Sequence, residues 1–377
     1  MAPSDEDVLA AIDAQRGAIT EVIHFVHAHP ELAHEEHACA GELLRRLRDG
    51  GLEGDEGVAG LDTAFRAVLR GGQPGRRVGI VAQYDAVAAV RDDGSLEAVH
   101  SCGHGPIAGS VVGAALALAS LRSELAGELV IVGCPADEIH APGTVERGGG
   151  KGLTAEAGVW DDCDAALYAH PEFIDTVSQA SLWMRRDDFI VAGVRSLRDD
   201  VVQKPLDSLG ALLQVAYEVR RSRLMIEHLV LDGDVEEGTG LVLAGTLLFF
   251  ADDEAGISRT ADRLRTALPD AVWQEGRPVP GIRPDPAVTA AVADAFAAAG
   301  RGFEPNPPTL PFATDFGNIS RRVPSALIGV GRPGGWAFHS DEGAEQFASP
   351  DGVDAALTMA RVLALSAVRL GNAQPPR

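Results

Sequence analysis

Cysteine and positive charge are both scarce in this chain, and each shortage excludes a class of protein. Four cysteines in 377 residues are too few for a disulfide framework, so we expect reduced thiols that are free to bind metal. The 32 Lys and Arg residues face 55 Asp and Glu residues, which leaves a formal net charge of -23. Such a charge repels phosphate groups, so we expect no nucleic acid and no membrane surface as partners. A small-molecule substrate fits this composition better.

A long apolar run and a leader pattern are also missing. The longest weakly polar stretch, 109–120, is too short and too rich in small residues to span a bilayer. The segment 1–8 is acidic and lacks the basic-then-apolar order of a signal peptide, so we expect a cytoplasmic location. Hydrophobic content of 46% and charged content of 23% are those of an ordinary globular protein.

The apolar pattern predicts three segments in a chain that is too long for one typical core. In 1–180, apolar strands alternate with helices, as in a largely parallel α/β sheet. The strands are predicted over 77–82, 127–133 and 165–169, and the helices over 5–27, 35–48, 107–121 and 153–157. The same pattern resumes in 285–377, where a helix, a strand and a helix are predicted over 287–299, 325–330 and 350–370.

The middle segment, 181–284, has a different order of elements. It reads strand, helix, strand, strand, helix and a last short strand, which is the order of a ferredoxin-like α+β unit. Its elements are predicted over 183–192, 207–225, 227–231, 241–250 and 257–268. The simplest fold is therefore α/β: a mixed, mostly parallel sheet sandwiched by helices, interrupted by an inserted ferredoxin-like α+β domain.

Six side chains of metal-binding or acid–base type follow the predicted strands or lie in loops near them. They are Cys102, His104, Asp137, Glu138, His170 and His339. Because ligands of parallel sheets gather outside the carboxyl ends of the strands, we expect these groups to converge. A single Cys-x-His pair is more often a buried free cysteine beside a surface histidine. Six suitable groups at converging positions favour a transition-metal site.

The motifs around these residues occur in a specific order. They are Tyr84-Asp85-Ala86, His100-Ser101-Cys102-Gly103-His104, Pro135-Ala136-Asp137-Glu138, His170-Pro171, Thr314-Asp315-Phe316-Gly317-Asn318 and Phe338-His339, with His29-Pro30-Glu31-Leu32 before them. In both outer segments the chain thereby resembles the M20 metallopeptidase family, and within it the amidohydrolase branch. The resemblance implies a zinc-peptidase-like fold, a hydrolase, and a homodimer formed through an edge of the inserted lid domain.

The resemblance also implies roles for the six residues. Cys102 would be a thiolate ligand that bridges, and the ligands that complete a site for one or two divalent ions would be His104, Glu138, His170 and His339. Manganese is the first expectation, with zinc or cobalt as alternatives, since a mixed sulfur, nitrogen and oxygen set suits such metals. A bound metal lowers the pKa of its water to about 7. Asp137 would take the water's proton and deliver it to the leaving nitrogen.

Several departures from the family pattern concern the substrate. Asp137 stands where the family has a glutamate, which is one methylene longer. The stretch Gly193-Val194-Arg195-Ser196-Leu197 lacks the histidine with which the family polarises the scissile carbonyl. A second histidine after His104, and the family's substrate-holding Asn and Arg in the inserted domain, are missing too. The chain thus keeps the metal ligands of the family but lacks its amide-recognition groups. This combination favours a substrate whose negative charge develops at an atom other than an amide oxygen, such as an electron-poor aromatic amine.

Three hypotheses for function follow. The first is a metal-dependent hydrolase that releases ammonia from a small carboxylated aromatic amine, as an aminohydrolase of the 5-nitroanthranilate type does. The second is an N-acyl-amino-acid or peptide amidohydrolase of the M20 family. The third is a catalytically degenerate member that binds metal or ligand without turnover.

Three weaker signals are interpreted without a catalytic role. His34-Glu35-Glu36-His37 is typical of a solvated helix start, because its histidines are three apart rather than four. The glycine-rich run around Lys151 fails the phosphate-loop spacing, since Gly152 stands where Ser or Thr is needed, and predicts a flexible active-site loop. Three arginines could hold a substrate carboxylate, with an exposed surface position as the alternative for each: Arg195, Arg198 and Arg283.

Overall fold

The computed structural model describes residues 2–193, 204–219, 223–233 and 240–373. The chain divides into two compact units. The larger unit comprises Met1–Ala180, Arg283–Pro308 and Asn318–Arg377, and the smaller unit comprises Ser181–Ile282 and Thr309–Gly317.

The segment Thr309–Gly317 belongs to the smaller unit, although the sequence pattern placed it in the last segment of the chain. Backbone pairing explains the difference. The N–H of Leu182 donates to the carbonyl oxygen of Phe312 at 3.2 Å, and Ser181 forms an isolated parallel bridge with Leu310. Short, irregular pairings of this kind leave no periodic pattern in the sequence.

The larger unit contains a six-stranded sheet and a separate hairpin. Its strands are β1 (Glu53–Glu56), β2 (Phe65–Arg70), β3 (Gln73–Ala82), β4 (Val87–Val90), β5 (Leu96–Val99), β6 (Ala126–Gly133), β7 (Ala165–Glu172) and, near the end of the chain, β12 (Ser325–Gly331). The sheet order is β1-β2-β6-β3-β7-β12, and β4 pairs only with β5 among the described strands. Strands β6, β3, β7 and β12 are parallel, whereas β1 and β2 are antiparallel. The predicted mixed, mostly parallel sheet is confirmed.

The larger and the smaller unit both contain helices. In chain order they are α1 (Asp5–Ala14), α2 (Arg16–Ala28), α3 (His37–Asp49), α4 (His104–Ser120), α5 (Pro142–Arg147), α6 (Gly150–Glu156), α7 (Lys204–Glu218), α8 (Glu254–Ala267), α9 (Pro286–Ala298), α10 (Phe316–Ser320), α11 (Asp341–Ala348) and α12 (Pro350–Asn372). The small residues of α4 let α2 approach closely, because a Cβ at Gly113 would lie 2.5 Å from Ile19 Cδ1. This close packing holds α4, whose first residue is His104, against α2.

The smaller unit is an antiparallel sheet with two helices, α7 and α8. Its strands are β8 (Trp183–Ala192), β9 (Leu224–Asp232), β10 (Val242–Ala251) and β11 (Val272–Glu275), in the order β11-β8-β10-β9. Its core is formed by inward side chains of both layers, including Phe189, Leu247, Phe249, Leu212 and Ile257. The βαββαβ order and the all-antiparallel pairing confirm the predicted ferredoxin-like domain.

The single helix predicted over 5–27 is two helices. Ser4 caps α1 as expected, since its side chain accepts from the N–H of Asp7 at 3.2 Å in a capping box. The chain then breaks at Gln15, which ends α1 and begins α2. None of the helices in the described ranges combines the length and the apolar character that crossing a bilayer requires.

Candidate metal centre

The larger unit brings the six predicted residues to one place. Cys102 and His104 lie at the start of α4, and Asp137 and Glu138 follow β6. His170 lies near the end of β7, and His339 lies in the loop between β12 and α11. Because β6 and β7 both run parallel to β3, their carboxyl ends lie at the same edge of the sheet.

Five of these residues form two overlapping sets of possible ligands. One set is Cys102, His104 and His170, and the other is Cys102, Glu138 and His339; within each, one ligand atom per residue lies within 4.8 Å of the others. Cys102 Sγ is 3.4 Å from His339 Nε2 and 3.9 Å from His170 Nε2. Cys102 therefore has the position of a shared ligand.

The chemistry of these atoms fits a transition metal. One thiol, three imidazoles and one carboxylate make a mixed sulfur, nitrogen and oxygen set. His104 Nε2 and Glu138 Oε1 are buried and have no hydrogen-bond partner within the described residues. Buried polar atoms are usually satisfied, so two unsatisfied atoms facing the same point indicate a missing positive partner.

Hydrogen bonds orient two of the three histidines. The Nδ1–H of His104 donates to the carbonyl oxygen of Asp85 at 2.6 Å, and that of His170 donates to the carbonyl oxygen of Pro171 at 2.6 Å. Since a carbonyl cannot donate, both rings carry the proton on Nδ1 and present Nε2 to the cluster. Such second bonds fix the tautomer of metal-binding histidines.

His339 is held through its backbone instead. Its N–H donates to the carbonyl oxygen of Ser101 at 2.9 Å, and its φ is +57°. Non-glycine residues adopt this left-handed conformation only when surrounding contacts enforce it. The bond to Ser101 thereby joins the loop of His339 to the loop of Cys102.

Two buried acidic side chains hold the backbone that carries Asp137 and Glu138. Asp85 Oδ2 accepts from the N–H groups of Asp137 and Glu138, at 2.8 and 3.0 Å. Glu36 Oε1 accepts from the N–H of Ala136, a residue with φ +57°, at 2.9 Å. Glu36 is fully buried and His34 is largely buried, so the interpretation of 34–37 as a solvated helix start was wrong for both. Helical spacing could not reveal a side chain that turns inward before the helix begins.

Asp137 has a partner that the sequence did not predict as functional. The ammonium of Lys151, on α6, pairs with Asp137 Oδ1. The other oxygen, Oδ2, lies 3.4 Å from His104 Nε2 and 3.3 Å from the Tyr168 hydroxyl. The run around Lys151 is helical and buried, so its interpretation as a flexible loop was wrong. Gly150, one of the glycines that suggested the loop, permits close packing instead.

These surroundings shift the pKa values of the cluster. Burial alone would raise the pKa of Asp137, but Lys151 and His104 hold it well below its ordinary value. Burial raises the pKa of Glu138 to about 7 and lowers that of His170 to about 4. Burial also raises the pKa of the Cys102 thiol. Asp137 is therefore the carboxylate of the site that is most strongly held in its ionised form.

A cleft of about 490 Å³ opens beside these residues within the larger unit. Glu138 and His339 form one part of its lining. The β4–β5 hairpin supplies small apolar groups, and His140 and Asp341 add polar ones. The size and mixed lining suit a small organic molecule better than a long polymer.

Of the remaining candidate residues, the structure describes Asp315 and Arg283 only. Asp315, a member of one motif, lies in the smaller unit, and Arg283 is exposed. Arg195 and Arg198 lie outside the described residues, as do Val194 to Leu197 of the stretch that lacks a histidine. The substrate roles considered for these arginines stay predictions.

We expect Glu36→Gln to change how stability depends on pH. Burial, with a contribution from Asp85, raises the pKa of Glu36 to about 8 from an ordinary 4.5. The folded state therefore keeps a proton that the unfolded state releases, so this group favours folding less as pH rises from about 4.5 to about 8. The variant should lose that slope, up to about 1.4 kcal/mol per pH unit.

Urea denaturation at several pH values between those limits measures the effect. Glu35→Gln, at the exposed neighbouring position, is the matched control and should leave the profile unchanged. Parallel profiles for wild type and Glu36→Gln would contradict the expectation.

Comparison with known proteins agrees with the motifs. The sequence profile of peptidase family M20/M25/M40 matches residues 79–365. One subunit of the p-aminobenzoyl-glutamate hydrolase from Escherichia coli K12 is 30% identical over 173 residues, 43% of this chain and 34% of that protein. An N-acyl-L-amino acid amidohydrolase from Geobacillus stearothermophilus is 28% identical over 173 residues, 44% of each chain. The chain thus spans less than half of the length of these curated relatives.

Solved structures with the same fold cover nearly the whole chain. A dinuclear metal-binding peptidase of the M20 family from Bacillus subtilis superposes with a TM-score of 0.70 at 19% identity, over 95% of this chain and 99% of that one. A protein from methicillin-resistant Staphylococcus aureus that is described as a candidate aminohydrolase superposes with a TM-score of 0.73 at 19% identity, over 98% of this chain and 100% of that one. The family profile covers more than half of the chain, and the resemblance predicted from the motifs is confirmed: this chain belongs to peptidase family M20/M25/M40.

Proposed function

We propose that this chain hydrolyses the amide C–N bond of a small acylated amino compound, such as an N-acyl amino acid or a dipeptide, at a metal centre. The observation that carries the proposal is the grouping of five possible ligands in two sets that share Cys102, with Oδ2 of Asp137 3.4 Å from His104 Nε2. Relatives whose names describe amide hydrolysis support this choice of bond.

The proposed ligands are Cys102, His104, Glu138, His170 and His339. We propose that they hold one or two divalent ions, with manganese first and zinc or cobalt as alternatives. When bound, such an ion lowers the pKa of its water to about 7 and polarises a carbonyl oxygen.

The proposed role of Asp137 is that of general base. Oδ2 lies 3.4 Å from His104 Nε2 and so faces the ligand atoms, within reach of the proton of a water held among them. The oxygen of the attacking water forms a bond to the acyl carbon, and the bond from that carbon to nitrogen breaks. Asp137 passes the accepted proton to the leaving nitrogen, which yields a carboxylic acid and an amine.

A second candidate function is release of ammonia from a carboxylated aromatic amine, of the 5-nitroanthranilate type. The observation that favours it is the absence of histidine from the stretch between Gly193 and Leu197. Attack at a ring carbon places the developing negative charge on ring substituents, so the reaction does not need a donor aimed at an amide oxygen.

A substrate panel tests these proposals against each other. The protein is loaded with Mn²⁺, Zn²⁺ or Co²⁺ and incubated with N-acetyl amino acids, dipeptides and aminobenzoates. We expect equal amounts of acid and amine from the acylated compounds, and none after chelation. Ammonia from aminobenzoates alone would replace the first proposal with the second. Metal binding without any turnover would favour the degenerate family member.

The proposed assembly is a homodimer through the edge of the smaller unit. Strand β9 lies at the edge of its sheet and exposes Met225, Val230 and Leu231. An exposed apolar edge strand favours pairing with another chain. Light scattering should give twice the mass of one chain for wild type. The Val230→Lys variant should give the mass of a single chain. A cytoplasmic location stays a prediction.

A further inference from the structure

Lys151 is buried in a way that is unusual for its residue type. Its side chain is 0% exposed, and its ammonium contacts Asp137 Oδ1. Burying a lysine is costly unless the charge is paired, and such lysines are rare. The chain has only one other lysine, Lys204, which is 46% exposed and pairs with Asp270 at 2.7 Å in the smaller unit. Lys151 is therefore not one of the solvent-exposed charged residues of the protein surface.

The backbone is shaped to bring Lys151 to Asp137. The N–H of Gly150 donates to the carbonyl oxygen of Pro135 at 3.0 Å. A Cβ at position 150 would lie 2.1 Å from that oxygen, closer than real Cβ atoms approach. Glycine at 150 thus lets α6 dock directly against the 135–138 segment. The next residue, Lys151, then points its charge at the carboxylate of that same segment.

The two oxygens of Asp137 have different surroundings. Oδ1 faces Lys151, whereas Oδ2 faces His104 Nε2 at 3.4 Å and the Tyr168 hydroxyl at 3.3 Å. The Lys151 ammonium also lies 5.2 Å from the centre of the Tyr168 ring. Terminal torsions of aspartate are broad, so a carboxylate without such a partner rotates readily. The charge on Lys151 restricts that rotation.

We propose that Lys151 is a positioning residue for Asp137, which it holds through Oδ1 so that Oδ2 faces the metal ligands. The inference rests on the proposed function, in which Oδ2 receives the proton of water. Misplacing a catalytic group by about 1 Å can cost on the order of 100-fold in rate. Lys151 compensates for the short reach of aspartate by fixing its direction.

Lys151→Met tests the role in catalysis, because methionine keeps much of the stem and removes the charge. We expect kcat to fall by about 10- to 100-fold while KM stays within about twofold and bound metal is unchanged. Lys204→Met is the matched control and should behave as wild type. A kcat for Lys151→Met within twofold of wild type would overturn the inference.

A spectroscopic readout tests the role without turnover. With lysine labelled at Cε and Nζ, the chain gives NMR signals from two side chains only, Lys151 and Lys204. We expect the Lys151 signal to move in Asp137→Asn and when Zn²⁺ is added to wild type, while the Lys204 signal stays in place. A Lys151 signal that ignores both changes would overturn the inference, whether or not the protein turns substrate over. If the Lys151 signal responded to both changes but the protein turned over no substrate, the proposed function would be overturned instead.

Discussion

Asp137→Asn should lower kcat by about 10²- to 10⁴-fold, the usual contribution of a general base. Asparagine keeps the shape of the side chain but cannot accept the proton of water. Asp137 is outside both ligand sets, so the variant should bind as much metal as wild type. Initial rates on the substrates found in the panel, together with metal analysis of the same samples, measure the two effects separately.

Asp341→Asn is the control for this change. Asp341 lines the same cleft, but it is exposed and paired with Arg91 at 3.0 Å. Loss of the Asp341 charge should leave kcat unchanged and should alter KM at most. If Asp137→Asn kept a kcat within a few-fold of wild type, Asp137 would not be the base, and Glu138 would become the next candidate.

The second large effect, a loss of metal affinity, is expected from Cys102→Ser. Cys102 is the one residue common to both ligand sets, so its loss weakens both. Loss of an outer-shell partner costs about 10- to 100-fold in metal affinity, and loss of a shared ligand should cost more. Turnover should fall in proportion to the bound metal. Titration with Zn²⁺ against a chelating indicator measures the affinity.

Cys163→Ser is the matched control for Cys102→Ser. Cys163 is a buried thiol of the larger unit, whereas Cys102 is half-buried, and burial raises the pKa of both. It belongs to neither ligand set. Equal metal affinity in the two variants would contradict the shared-ligand role of Cys102.

The fold was largely predictable because the buried strands and amphipathic helices leave periodic patterns. The parallel strands β3, β6 and β7 contain apolar runs long enough to be found from sequence alone. Strand β2 was not predicted, although its residues alternate between buried and half-buried positions over most of its length. Strands β1, β4 and β5 were not predicted either. The residues of β1, β4 and β5 are mostly exposed or half-buried. These strands are therefore stabilised by backbone pairing with a neighbouring strand and not by burial of an apolar face.

The candidate site was predictable where residue type alone indicates chemistry. Cysteine, histidine and acidic residues after strands suggest ligands, and the structure brings all of them together. Lys151 and Glu36 were missed because their importance depends on burial. A lysine in a glycine-rich run and a glutamate among charged neighbours are usually solvated. Only the three-dimensional contacts with Asp137 and Ala136 distinguish them.

Titration with Co²⁺, followed by absorption and by amide hydrolysis in the same samples, tests the central claim most directly. We predict that a thiolate-to-cobalt charge-transfer band and the release of amine rise together and saturate at one or two ions per chain. The band should be absent in Cys102→Ser and present in Cys163→Ser. Saturation with cobalt without a thiolate band, or hydrolysis that does not depend on cobalt, would contradict a metal centre built on Cys102.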